Sequence, residues 1–117
     1  MVEHRRAPRI RAGDTIQVTN AITGEVAGRI GNLSIDGMML VSERPAREDA
    51  LYQYSFTLPD EHGRPRTLEI GMHEQWIEAA NVPGQHWIGL RFIDIGSDDQ
   101  AVLNTWLARG RPVAAGA

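Results

Sequence analysis

The chain contains no cysteine and no lysine. The missing thiols exclude disulfides, thiolate metal sites and cysteine nucleophiles. With lysine absent, all 12 basic side chains are planar guanidinium groups. No apolar run approaches the roughly 20 residues of a membrane span, so membrane insertion is excluded as an expectation. His4, His62, His73 and His86 show no metal-ligand spacing. No Ser-His-Asp set or carboxylate pair stands out, so the chain is expected to be neither an enzyme nor a metal or cofactor protein. Met1-Val2-Glu3-His4 runs into arginines without an apolar segment, which predicts a cytoplasmic chain.

Four arginines lie in the first eleven residues: Arg5, Arg6, Arg9 and Arg11, against Glu3. That segment carries +3, whereas the whole chain carries −3, which leaves −6 on residues 12–117. A basic arm on an acidic body attracts an anion locally but repels a long polyanion. The asymmetry therefore favours a small anionic ligand over DNA or RNA. Pro8 biases Ala7 away from helix and keeps the arm extended.

Behind the arm the pattern is short strands separated by turns. Alternation over 15–19 and 51–58, a short apolar run over 38–41, and the turns between predict strands over residues 15–19, 25–33, 38–41, 51–58, 67–78 and 86–93. Gly28 and Gly31 within the second strand predict a bulge or a close backbone approach. Strands joined by short turns with no helix between them argue for an antiparallel barrel or sandwich. The tail differs. Ser97-Asp98-Asp99-Gln100 predicts an N-cap with a capping box, and Val102, Leu103, Trp106 and Leu107 recur at helical spacing. Gly110 and Pro112 are read as its stop. The expected organisation is one domain: an arm over 1–12, a barrel over 13–96 and a helix over 97–110 packed on the barrel.

A second polar motif, Asn32-Leu33-Ser34-Ile35-Asp36-Gly37, follows the second predicted strand. Alone it reads as a turn, because Asn, Asp and Gly suit that role. Beside the arginine run it adds an amide, a hydroxyl and a backbone position without a side chain. An anionic ligand carrying flat, hydrogen-bonding rings needs such groups. The arrangement resembles the PilZ domain family of bacterial cyclic di-GMP receptors. Arg5-Arg6-Ala7-Pro8-Arg9 fits its RxxxR signature, and Asn32 to Gly37 fits (D/N)xSxxG. Ile88-Gly89-Leu90-Arg91-Phe92 is similar to its closing strand.

The resemblance implies a mainly β fold: a six-stranded antiparallel β-barrel with a flexible basic N-terminal arm and one C-terminal α-helix. It implies that Arg5 and Arg9 grip the phosphates and guanines of cyclic di-GMP, with Arg6 assisting. Asn32 would read a guanine edge, Ser34 would bond a phosphate or guanine group, and Gly37 would let the backbone turn without a clash. His4, Asp36 and Trp76 are lesser candidate contacts. Core packing is the ordinary role of a strand tryptophan, so Trp76 is open between the two. Gly89 and Phe92 are read as core and bulge positions, and Trp106 as helix-to-barrel packing.

Three functions follow. A cyclic di-GMP receptor would reorder its arm on binding and regulate a protein partner in trans, in second-messenger control of motility or biofilm. A ligand-independent adaptor of the same fold would work through protein contacts in pilus or motility machinery. A small barrel binding single-stranded nucleic acid would want aromatics among its arginines, and here there are none.

Overall fold

The computed structural model describes residues 10–11, 15–43 and 49–116, with side chains over 15–43 and 49–109. Its strands are β1 (Ile10–Arg11), β2 (Gln17–Asn20), β3 (Val26–Leu33), β4 (Gly37–Ser42), β5 (Leu51–Pro59), β6 (Pro65–Ala79) and β7 (His86–Ile95). One helix follows, α1 (Ser97–Gly116). The six expected strands all form, with ends shifted by a residue or two. Where alternation predicted a strand it is an alternation of burial. On β5, Tyr54, Phe56 and Leu58 face inward while Leu51 and Thr57 face water.

Every neighbouring pair is antiparallel, and β2–β3–β4–β7–β6–β5 returns to β2 through Thr19↔Ser55 and Asn20↔Tyr54. This is a closed six-stranded barrel. β1 adds a short seventh strand on β3, with Ile10 opposite Leu33 and Arg11 opposite Asn32. Two residues of the segment expected as an arm are thus held in a sheet. The remainder of that arm, including His4, Arg5, Arg6 and Arg9, lies outside the described residues.

The glycines of β3 behave as expected. The β3–β4 register slips between Ile30 and Asn32, which makes Gly31 a bulge. A Cβ on Gly28 would overlap the carbonyl oxygen of Val41. The bulge has a consequence for side-chain direction: Ile30 and Leu33 both point inward, and Asn32 points out.

The barrel interior is filled by Val18, Ile30, Leu33, Met38, Leu40, Phe56, Leu58, Leu68, Ile70, Met72, Ile88 and Leu90. The helix closes one end by adding Val102, Leu103 and Leu107, with Trp106 packed at the margin. Fully burying one such aliphatic side chain contributes about 1.5–3 kcal/mol. Tyr54 stacks on Tyr52 with ring centroids 4.9 Å apart. Burial, and then the neighbouring Tyr52, push the Tyr54 hydroxyl far above its ordinary range, so the phenol stays neutral.

The helix start differs from expectation. The Gln100 amide donates to the Gly96 carbonyl at 2.8 Å, and the Gln100 side chain donates to Asn104. Gly96 therefore occupies the capping position and the expected Ser97 capping box is not made. Asp99 instead accepts a tertiary bond from the Glu69 amide at 3.1 Å, and Arg109 donates to the carbonyls of Asp60 and Glu61. The helix also continues past Gly110 and Pro112 to Gly116. Those residues cost an established helix about 1 and 3 kcal/mol, which is a penalty and not a prohibition.

Asp60 anchors the β5–β6 turn, where Gly63 takes φ 78°. Its carboxylate accepts from the backbone amides of Arg64 and His62. The Arg64 bond is the larger cause holding this carboxyl below its usual range. A lowered carboxylate pKa favours the fold at neutral pH and is lost as pH falls through it.

Candidate functional site

The polar motif forms the turn between β3 and β4. Ser34 is fully buried beneath it. Its amide donates to the Gly37 carbonyl at 2.9 Å, and its hydroxyl lies 2.8 Å from Asp36 Oδ1 and 3.2 Å from the Gly37 carbonyl. The single hydroxyl proton is thus used inside the turn. Ser34 and Asp36 fix the loop's shape, while Ile35 projects to solvent. The Phe92 amide donates to the Asp36 carbonyl at 2.9 Å and ties the turn to β7.

Gly37 is buried, extended and paired with Arg91. A Cβ there would overlap the Leu90 carbonyl oxygen. Its glycine is required by the close approach of β7, not by a left-handed turn, because its φ is not positive.

Residues directly opposite each other in an antiparallel sheet share a face. On the outer face of β3, β4, β7 and β6, one cross-strand row runs Asn32, Met39, Gly89, Trp76. A second runs Arg29, Val41, Trp87, Glu78, and a third runs Gly37, Arg91, His73. Two indoles lie over two glycines. A Cβ on Gly89 would collide with the indole nitrogen of Trp76, and one on Gly31 would approach the Trp87 ring to 2.7 Å. The Trp76 ring, 39% exposed, is therefore a flat plate on the barrel's exterior rather than a core residue.

The structure thus brings Asn32, the Ser34–Gly37 turn and Trp76 onto one outer surface. Arg11 of β1 stands opposite Asn32. His73 takes part in a neighbouring cluster: its Nε2 lies 2.5 Å from Asp49 Oδ1, and Gln75 Nε2 lies 2.6 Å from its Nδ1. Beneath them the buried Glu74 carboxylate accepts the Asp49 amide, where Asp49 adopts φ 58°. Among the described residues, no group of three or more His, Cys, Asp or Glu is placed to hold a metal, and no helix is long and apolar enough to cross a membrane.

One residue on this face was missed. Arg91 has the parity of Gly89 and Trp87 on β7 and points outward beside the turn. The signal was present in Gly89-Leu90-Arg91, where period-two alternation around the apolar Leu90 puts both neighbours outside. A separate cleft of about 340 Å³ opens where β2 and β5 part, lined by Thr15, Gln17, Ser55 and Thr57 among others. It contains none of the motif residues, and its uncharged lining offers an anion no counter-charge.

The fold is a closed antiparallel barrel with a helix across one end and a polar turn beside an exterior aromatic plate. The chain belongs to the PilZ domain family, whose model matches residues 3–109. Comparison with curated proteins gives no sequence match. Among solved structures, the PilZ domain of YcgR from Escherichia coli with c-di-GMP is similar at 18% identity and TM-score 0.72, covering 97% of this chain and 96% of that one. The MrkH–c-di-GMP complex from K. pneumonia is similar at 21% identity and TM-score 0.75, over 98% of this chain and 56% of that one. The Bacillus subtilis inhibitor of motility MotI/DgrA is similar at 19% and 0.71, over 95% and 53%. The chain spans little more than half the length of the latter two proteins. At these identities the likeness establishes the shared fold.

Proposed function

We propose that this chain is a non-enzymatic, cytoplasmic receptor for cyclic di-GMP whose N-terminal arginines and β3–β4 turn act as two halves of one clamp. The observation that carries the reading is the pairing of Arg11 with Asn32. That pair lies at the second motif, and Arg9, the last residue of RxxxR, precedes it by two residues in the chain. Arg5, Arg6 and Arg9 would meet the phosphates and guanines from above. Asn32 would address a guanine edge, and the turn shaped by Ser34, Asp36 and Gly37 would form the floor, with Trp76 as a stacking surface. His4 would add a minor contact.

Two similar structures hold c-di-GMP, and those proteins share the family but little sequence. That supports the ligand class. Ligand binding would order the arm against the barrel and change the surface offered to a protein effector in trans. Motility or biofilm control is the corresponding setting, and MotI is itself an inhibitor of motility. DNA and RNA are not expected partners, given the acidic charge of residues 12–117.

Isothermal titration with cyclic di-GMP is the test. Saturable binding at defined stoichiometry is expected, with no retardation of a mixed oligonucleotide in a gel-shift assay. An absence of heat at ligand well above the protein concentration would favour the ligand-independent adaptor.

A further inference from the structure

The barrel carries a cation of its own on this surface. Arg91 is exposed and, among the described residues, makes no hydrogen bond or ion pair. It stands directly opposite Gly37 on one side and His73 on the other. The glycine leaves the floor clear between the guanidinium and the β3–β4 turn. The Phe92–Asp36 backbone bond holds that part of β7 in register with the turn, so the base of the Arg91 side chain is fixed relative to Asn32.

Two residues back along the same face is Gly89, covered by the Trp76 indole. Side chains at i and i+2 of a strand stand roughly 7 Å apart on one face. A planar base lying on that indole would therefore present an edge within reach of the Arg91 guanidinium. Guanine offers O6 and N7 as adjacent acceptors on one edge, and the guanidinium fork matches them with two parallel donors.

The geometry points to Arg91 as a guanine-reading residue supplied by the barrel rather than by the arm. This assignment rests on the cyclic di-GMP reading. It adds to the arm arginines and Asn32 a rigid strand arginine that reads the O6/N7 edge of the base.

The test compares the full chain with Arg91→Ala and Arg91→Lys by isothermal titration. The ligands are cyclic di-GMP and its 7-deazaguanine analogue, which lacks the N7 acceptor. Wild type should bind the analogue several-fold more weakly. Arg91→Ala should bind cyclic di-GMP about tenfold more weakly than wild type and should no longer distinguish the two ligands. Arg91→Lys should behave like the alanine variant, since an ammonium lacks the fork. Unchanged thermal midpoints, expected for an exposed side chain, confirm intact folding. Unaltered affinity of Arg91→Ala, full rescue by lysine, or a preserved preference over the analogue each overturns the assignment while leaving the receptor reading in place. No binding of cyclic di-GMP by wild type overturns both.

Discussion

Arg9→Ala is expected to weaken cyclic di-GMP binding about a hundredfold without moving the thermal midpoint, as titration calorimetry and thermal melting would show. A hundredfold corresponds to about 2.7 kcal/mol, and hydrogen bonds to charged groups contribute about 1.5–3 kcal/mol each. One guanidinium that meets a phosphate through paired donors supplies that range. Arg9 immediately precedes β1 in the chain, so of the RxxxR arginines it is tethered by the fewest residues to the β1–β3 pairing. Arg5→Ala should have a smaller effect for the same reason, since four more residues of arm must be ordered to place it. Equal affinity of Arg9→Ala and wild type would contradict the clamp.

Gly37→Ala is expected to produce the largest loss of stability among substitutions in the motif. An added methyl would meet the Leu90 carbonyl oxygen, which belongs to the backbone of β7 and cannot swing aside. Relief requires β4 and β7 to separate where they also carry Arg91 and Phe92. Inserting a methyl into a packed site costs about 1–3 kcal/mol. A loss of about 2 kcal/mol corresponds to a fall of roughly 10 °C in thermal midpoint for a domain of this size. Because the same shift displaces the turn from β7, ligand affinity should fall with it. A midpoint unchanged within a degree or two would show that the strands yield freely, and the rigid floor assigned to this turn would be wrong.

The barrel strands were legible because they are half-buried, and burial on one face writes period two into residues such as Tyr54, Phe56 and Leu58. β1 was not, since two residues carry no measurable alternation, and its pairing depends on Leu33 and Asn32 far along the chain. The residues from Asn32 to Gly37 were legible as a turn, but their side-chain directions were not. Ser34 is drawn under the turn by Asp36 and Gly37, a three-residue geometry that composition does not specify. Asn32 faces out only because Gly31 bulges and resets the alternation. Trp76 had core packing as its ordinary expectation. The slip between Glu74 and Trp76, together with the missing side chain at Gly89, puts the ring outside.

The helix shows the complementary case. Val102, Leu103 and Leu107 announced it by spacing, and they fill the barrel end as expected. Its cap was set by tertiary bonds instead. Asp99 is taken by the Glu69 amide, which fixes where the first turn can begin.

In the proposed complex, cyclic di-GMP binds on the outer face between the β3–β4 turn and the Trp76 plate. An amide-detected NMR titration of the full chain with cyclic di-GMP reads this directly. The largest shifts are expected at the amides of Asn32, Ser34, Gly37 and Arg91 and at the Trp76 indole N–H. Shifts confined to the β2–β5 cleft around Thr15, Gln17 and Thr57, or no shifts at saturating ligand, would contradict it.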